Sequence, residues 1–406
     1  MLRILQKFGG TSVADLDRIQ AAAKRVKQEV DVGNEVAVVV SAMAGETNRL
    51  VNNATQISSG YDTSEYDAVV ASGEQVTAGL MAIALQHIGI DARSWLGWQI
   101  PILTDNIHGK ARILEINTEV LSKKLSEKQV AVISGFQGIS SDDRITTLGR
   151  GGSDTSAVAL AAALDVDRCD IFTDVEGVFT SDPRIVGKAK KLEKITYEEM
   201  LELASLGAKV LQTRSVELAL KYQVPLQVRS SFSDADGTLV VDEDKTVEQE
   251  LVRGIAHSND DAKITLIRVD DRPGIAAAIF GPLTDSNINV DMIVQNVSED
   301  GKATDLTFTV SRSDFDRALD VLGKSKEELK FQRLIGDPDV TKISIVGVGM
   351  RSHAGVAQKM FTALAERGIN IQVISTSEIK VSVLISSEYT ELALRALHTA
   401  YGLDAS

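Results

Sequence analysis

Lys7-Phe8-Gly9-Gly10-Thr11-Ser12 is the stretch on which the reading of this chain turns. In front of it, Leu2 to Phe8 has the apolar run of a strand. Behind it, Ile19, Ala23 and Val26 recur at helical spacing. Strand, glycine turn and helix in that order open an α/β domain with a largely parallel sheet. Adjacent glycines let a ligand approach the backbone, and a helix start offers free N–H groups and a positive dipole end. Lys7, at the strand's end, would set a cation against the same phosphates. Taken alone, an ordinary βα turn with a surface lysine explains these residues equally well.

Outward from this turn the α/β pattern continues through residues 1–240. Val36-Ala37-Val38-Val39-Val40 is a continuous apolar run, as a strand covered on both faces requires. Val130-Ala131-Val132-Ile133 and Ile171-Phe172 read the same way, and Pro225-Leu226-Gln227-Val228-Arg229 reads as a late strand with proline at its start. Apolar periodicity predicts helices near 68–88, 154–164, 196–206 and 207–222.

A second glycine turn, Gly149-Arg150-Gly151-Gly152-Ser153-Asp154, lies between an apolar segment and the helix Thr155 to Leu164. Asp154 is a good helix cap, but three glycines with an arginine are more than punctuation needs. Two such turns in one parallel sheet would converge at the carboxyl ends of the strands, which favours a phosphate site. After Ile171 comes Phe172-Thr173-Asp174-Val175-Glu176-Gly177-Val178-Phe179-Thr180-Ser181-Asp182-Pro183-Arg184. Its turn-formers allow a structural loop, and its closing arginine suits a nucleotide. Lys209, in Gly207-Ala208-Lys209-Val210, reads as the start of a helix. Ser41-Ala42-Met43-Ala44-Gly45-Glu46-Thr47 and Ser72-Gly73-Glu74 follow a strand and open a helix. By themselves they say little.

Val241-Asp242-Glu243-Asp244-Lys245 is acidic and turn-prone, and marks a boundary. Beyond it the chain repeats. Lys263-Ile264-Thr265-Leu266 matches Lys342-Ile343-Ser344-Ile345, and Pro273-Gly274-Ile275-Ala276 matches Ala354-Gly355-Val356-Ala357. Ile288-Asn289-Val290-Asp291 matches Ile369-Asn370-Ile371-Gln372, at an offset of 81 from the glycine onward. Ile275, Ile279 and Leu283 face Val356, Met360 and Leu364 in the same register. Two copies of a βαββαβ unit follow. The expected domains are 1–240, a linker with a leading strand at 241–262, and repeats at 263–335 and 336–406.

Composition removes several function classes. Charged residues are 25% and hydrophobic ones 44% of the chain, which excludes a disordered or fibrous protein. The net charge of −14 argues against nucleic acid. No apolar run reads as the roughly 18–20 residues of a membrane span, and the N-terminus turns polar too early for a secretory signal. Cys169 is alone, which suits a reducing cytoplasm, and His87, His108, His257, His353 and His398 show no metal-ligand spacing. There is no Gly-x-x-x-x-Gly-Lys-Ser/Thr loop, no Gly-x-Gly-x-x-Gly after a strand and no protein-kinase signature.

Lys7–Ser12, Ser41–Thr47, Ser72-Gly73-Glu74, Gly149–Asp154, Thr173–Arg184 and Gly207–Gln212 together resemble, in order, the motifs of bacterial aspartate kinases. The duplicated region resembles the tandem ACT domains with which such enzymes sense end-product amino acids. The resemblance covers essentially the whole chain. It implies a three-layer amino-acid-kinase fold, followed by two ferredoxin-like ACT domains, and transfer of the γ-phosphoryl group of ATP to the side chain of L-aspartate. Its site residues would be Lys7 and Asp154 as catalytic groups. ATP would be held by Lys7, Phe8, Gly9, Gly10, Ser41, Thr173, Asp174, Phe179, Arg184, Lys209 and Val210, with Gly9 and Gly10 donating backbone N–H groups. Aspartate would be held by Thr47, Glu74, Arg150, Gly151, Gly152, Ser153 and Asp154. Phe179 stands where many relatives carry tyrosine. Mg²⁺ would arrive with ATP, since no dedicated metal cage is evident.

The resemblance further implies allosteric binding of lysine, threonine or both. The matching positions are Asp271, Gly274, Ile275, Ala276, Asn289, Val290, Asp291 and Gln295 in the first repeat. In the second they are Met350, Ser352, Val356, Ala357, Asn370, Ile371, Ser377 and Glu378. It implies a homo-oligomer joined through the ACT domains. Some relatives add a small ACT-only subunit from an internal start; no Met lies between Met200 and Met292, so that start would need a non-ATG codon. Two rivals stand beside this reading: a kinase of the same fold acting on glutamate, acetylglutamate, carbamate or a nucleotide, and a non-catalytic amino-acid sensor.

Overall fold

The computed structural model describes residues 1–58, 60–207, 210–242, 251–298, 301–347, 350, 353 and 355–404. The chain divides into two compact units. The first comprises Met1–Val178, Lys191–Ser205 and Lys209–Val247, and the second Phe179–Lys190, Leu206–Ala208 and Glu248–Ser406. Of the acidic boundary stretch, residues 243–245 lie outside the described residues.

In the first unit an eight-stranded sheet runs Lys194–Thr196, Thr238–Val241, Leu226–Ser230, Arg168–Thr173, Arg3–Phe8, Glu35–Val40, Val130–Ser134, Ala92–Trp95. All neighbours are parallel except Leu226–Ser230 with Thr238–Val241. The central strands are apolar without alternation because both faces are covered. On one face Phe8, Val38, Val40 and Val132 pack with Ile19 and Val26 of helix Leu16–Asp31 and Met81 and Leu85 of helix Ser72–His87. Helix Gly152–Ala163 packs against Arg3–Phe8, Glu35–Val40 and Arg168–Thr173, and its first ten residues are buried. The small side chains of Ser156, Ala157, Ala159 and Ala161 let it lie that close. The result is the three-layer arrangement expected.

Three local expectations are corrected. The helix anticipated at 207–222 begins only at Thr213, after an extended Gln212. The turn Gly9-Gly10 opens not an α-helix but a short 3-10 turn, Gly10–Val13. The α-helix starts at Leu16, where the Asp15 side chain accepts the Arg18 N–H at 2.8 Å. The stretch Thr63–His87 does have the length and hydropathy of a span, yet half of its 18-residue apolar window is buried. It packs as two helices, Thr63–Val70 and Ser72–His87, with Val70, Ala78 and Met81 in the core.

In the second unit each repeat forms a four-stranded antiparallel sheet accompanied by helices, Ile275–Asp285, Phe315–Lys324 and the short Lys326–Leu329 in the first and Val356–Ala365 and Thr390–Ala400 in the second. The first sheet runs Val290–Val297, Ala303–Ser311, Asp261–Asp270, Arg333–Asp337. The second runs Gly254–Ser258, Val340–Val346, Lys380–Ser386, Val373–Thr376. The fourth place in the second sheet is thus filled by the leading strand Gly254–Ser258, which precedes the first repeat in the chain. Gly274 and Gly355, the paired glycines of the repeat, cap their helices at φ 87° and 98°, a region open to glycine without strain.

Candidate functional site

The carboxyl ends of Arg3–Phe8, Glu35–Val40 and Arg168–Thr173 bring several sequence-selected groups together. Lys7 Nζ stands 2.5 Å from Asp154 Oδ1, with the two side chains 9% and 12% exposed. No aligned hydrogen bond reaches that oxygen, so the contact is one of charge. Lys7 is placed by the central strand, and Asp154 by the first turn of helix Gly152–Ala163. A carboxylate there also suits the helix dipole.

The glycines around this pair stand in tight surroundings. A Cβ on Gly9 would lie 3.3 Å from Lys7 Nζ, and one on Gly10 would lie 3.1 Å from the Ala42 carbonyl. The Gly9 N–H donates to the Phe172 carbonyl at 3.2 Å. That amide is thus engaged within the protein. Ser12 Oγ donates to the same carbonyl at 3.3 Å, and the rings of Phe8 and Phe172 stack beneath at 4.8 Å. Ser41 follows its strand with its N–H on the Phe8 carbonyl.

Gly151 adopts φ +72°, and a Cβ on it would stand 1.8 Å from Gln212 Cγ; Gly152 is closed in by the Phe136 ring at 2.7 Å. Ser153 packs on Gly135, whose Cβ would meet it at 2.9 Å. Arg150 is exposed and has no ion pair among the described residues.

Glu74, in the first turn of Ser72–His87, is 3% exposed. Its Oε1 accepts the Ala42 N–H at 3.0 Å, and its Oε2 is buried with no partner. Burial pushes its carboxyl up to about 7. An unpartnered carboxylate oxygen of this kind suits an incoming ammonium. Thr47 lies half-buried in the first turn of Glu46–Ile57.

The nucleotide candidates divide. Thr173, at the end of its strand, and Asp174 belong to the first unit and are linked by a 3.2 Å hydrogen bond, and half-buried Val210 belongs there too. Phe179 and Arg184 belong to the second unit. Arg184 is paired with Asp182 at 2.7 Å. Lys209 and Ser352 lie outside the described residues.

Sequence reasoning missed the support of the Gly149 turn. Asp67, fully buried, accepts from His108 Nδ1 at 2.8 Å, from the Gly109 N–H at 3.0 Å and from Thr147 Oγ1 at 2.5 Å. A Cβ on Gly149 would lie 3.2 Å from the Gly109 carbonyl, so this knot sits directly under the turn. An aspartate inside an apolar helix pattern was the only available signal.

Among the effector candidates, Asp291 pairs with Lys342 Nζ at 2.9 Å, and Lys342 also meets Asp261 at 3.2 Å, joining the two repeats. Burial works against its ionisation, but the Lys342 ammonium prevails and holds the Asp291 carboxyl below its usual range. Gly274 and Ile275 begin the first repeat's leading helix, Ala276, Asn289 and Gln295 are exposed, and Asp271 and Val290 are half-covered. In the second repeat Met350 donates its N–H to the Glu378 carbonyl at 3.1 Å, and Val356 is buried with its carbonyl accepting from Tyr401. Ala357, Asn370, Ile371 and Ser377 border the same helix and the strand that follows.

Known proteins share this layout. Residues 2–230 match the amino acid kinase family, and residues 263–327 and 343–401 each match an ACT domain. An aspartate kinase of Stutzerimonas stutzeri is 55% identical over 406 residues, covering 100% of this chain and 98% of that one. The crystal structure of aspartokinase III of E. coli with aspartate and ADP, in its R-state, superposes with a TM-score of 0.80 at 28% identity, covering 98% of this chain and 99% of that one. The same enzyme with lysine and aspartate, in its T-state, gives 0.73 at 27% identity, covering 98% of each chain.

Proposed function

The chain belongs to the amino acid kinase family, in its aspartate kinase branch with two ACT domains, and on that premise we propose that it transfers the γ-phosphoryl group of ATP to the side-chain carboxylate of L-aspartate. The product is 4-phospho-L-aspartate, the first intermediate towards lysine, threonine and methionine. The observation that carries the reading is the buried Lys7–Asp154 pair between two glycine-built turns.

The chemistry suits these groups. The aspartate side chain is ionised at pH 7 and is itself the nucleophile, so no general base is needed. Catalysis consists of aligning two anions and neutralising the charge that develops between them. Lys7 supplies that charge, and Asp154 orients it. Arg150 takes a carboxylate of aspartate in a two-pronged contact, and the free Oε2 of Glu74 takes its ammonium. Thr47 and the Gly151-Gly152 backbone, with Ser153, complete that pocket. Ser41, Thr173, Asp174, Phe179, Arg184, Lys209 and Val210 hold ATP. Mg²⁺ is carried in on the phosphates of ATP.

The effector is lysine, threonine or both, bound at the ACT repeats; lysine in the T-state relative supports the first. Such an effector must bind an inactive arrangement preferentially, since equal affinity shifts nothing. The assembly is a cytoplasmic homo-oligomer through the ACT domains. ADP release coupled to a dehydrogenase, with aspartate, glutamate and N-acetylglutamate offered in turn, tests the substrate. Turnover with aspartate alone is expected; equal turnover with glutamate would replace this reading by its nearest rival.

A further inference from the structure

Two halves of the proposed aspartate pocket reach it from stretches far apart in sequence. Glu74 rides on the first turn of helix Ser72–His87, and Arg150 sits in the turn ahead of helix Gly152–Ala163. A substrate held by its ammonium at the one and by a carboxylate at the other depends on the distance between them. Two buried side chains that the mechanism does not otherwise use span that gap, and all of these residues lie within Met1–Val178 of the first unit. Helix Thr63–Val70 runs into Ser72–His87 with only Ala71 between them, and the Asp67 carbonyl accepts the Ala71 N–H at 3.0 Å. Strand Ile145–Thr147 leads into the Gly149 turn and pairs with strand Gln137–Ser140, Thr147 opposite Gln137.

Asp67, with no exposed surface, makes the first tie. Its Oδ2 accepts His108 Nδ1–H at 2.8 Å and the N–H groups of Gly109 and Thr147, each at 3.0 Å. Its Oδ1 accepts the Thr147 hydroxyl at 2.5 Å. Gln137, equally buried, makes the second tie. Its Nε2 donates to the Ala71 carbonyl at 3.0 Å, and its Oε1 accepts from Gln75 Nε2 at 3.2 Å. The two ties therefore grip both ends of one helical turn, Asp67 to Ala71, directly ahead of Glu74. On the other side the chain is held up to Gly149. The Leu148 N–H donates to the Phe136 carbonyl at 2.9 Å, and Arg214 Nη1 donates to the Leu148 carbonyl at 3.0 Å.

We propose that Asp67 and Gln137 are positioning residues for the aspartate substrate: together they hold the helix of Glu74 and the turn of Arg150 at a fixed separation. The proposal rests on the reading of Glu74 and Arg150 as aspartate ligands. A buried carboxylate with both oxygens filled allows one arrangement of its partners, whereas an apolar side chain in its place would fix none. Two phosphate-side groups of this unit, Lys7 and Thr173, stand instead on strands Arg3–Phe8 and Arg168–Thr173. Cutting the ties therefore weakens aspartate binding and leaves nucleotide binding in place.

The test uses the full-length chain. Thr147→Val keeps the shape and removes the hydroxyl that Asp67 accepts, Thr147→Ser keeps that hydroxyl, and Gln137→Met cuts the second tie with a side chain of similar length. Thr147→Val and Gln137→Met should each raise KM for aspartate about tenfold, the scale of one buried hydrogen bond. In both, Kd for ADP by calorimetry should stay within about twofold of the wild type, and Thr147→Ser should keep both values near the wild type. A lowered Tm with an unchanged KM for aspartate would show that the ties only stabilise the fold, and overturns the proposal. So does a parallel rise in KM for aspartate and Kd for ADP. A wild type inactive with aspartate overturns the assigned substrate, and the proposal with it; an active wild type whose variants keep their KM overturns the ties alone.

Discussion

Lys7 Nζ and Asp154 Oδ1 stand 2.5 Å apart, with neither side chain more than 12% exposed. A charge pair so nearly closed off is stable only while both partners remain. Lys7→Met should lower kcat by about a hundredfold to a thousandfold, the range for deleting one electrostatic stabiliser. It should also cost about 3–5 kcal/mol of stability by leaving Asp154 unpaired. Lys7→Met with Asp154→Asn should recover much of that loss in denaturant titrations, without recovering turnover. Strictly additive stabilities would show that the two charges do not act as a pair.

Glu74 is the second point of leverage. Its carboxyl is raised from an ordinary 4.5 to about 7 by burial. The folded state therefore holds a proton that the unfolded state has released, and stability falls as pH rises from about 4.5 to about 7. At about 1.4 kcal/mol per unit the cost above pH 7 is about 3 kcal/mol. Glu74→Gln should thus raise Tm at pH 8 and change it little at pH 4.5, while raising KM for aspartate. In the wild type, kcat/KM for aspartate should climb through pH 7 as the carboxylate forms to receive the substrate ammonium. A flat profile there would mean that Glu74 does not bind aspartate in its ionised form.

Gly151 is fixed twice over, by φ +72° and by Gln212 Cγ at 1.8 Å from a built Cβ. Gly151→Ala should cost about 1–3 kcal/mol and raise KM for aspartate about tenfold or more, since Arg150 precedes it. Adding Gln212→Ala relieves the clash but not the dihedral, so recovery should be partial. Full recovery would assign the whole cost to crowding.

Lys342 joins the two ACT repeats through Asp261 and Asp291. Lys342→Met leaves the Asp261 side chain, 10% exposed, without its cation. Unfolding of the second unit should come earlier by about 3–5 kcal/mol, and Asp261→Asn in the same chain should restore part of it. A variant as stable as the wild type would show the pair to be dispensable.

Much of this is legible in the sequence. The unbroken apolar strands announced a sheet covered on both faces, and the repeat offset located Gly274 and Gly355, both of which take the left-handed conformation that only glycine adopts freely. Two glycine turns in one parallel sheet pointed to a shared phosphate site; the roles of Lys7 and Asp154 came only with the resemblance to aspartate kinases. What stayed hidden was set by contacts distant in sequence. Nothing near residue 254 says that Gly254–Ser258 completes the sheet of the second repeat across the whole first repeat. Nothing near Asp67 points to Thr147, 80 residues away. No helix starts at Gly207, which sits at φ +103° with the carbonyl of the distant His257 2.5 Å from any Cβ. Apolar periodicity cannot register that constraint.

The central claim is that an aspartate carboxylate receives the phosphoryl group. The most direct measurement incubates the full chain with ATP, Mg²⁺ and hydroxylamine and reads the hydroxamate trapped from the acyl phosphate. Aspartyl hydroxamate should form with L-aspartate, not with L-glutamate or without acceptor, and should vanish in Lys7→Met. No hydroxamate from aspartate, or as much from glutamate, would contradict the account.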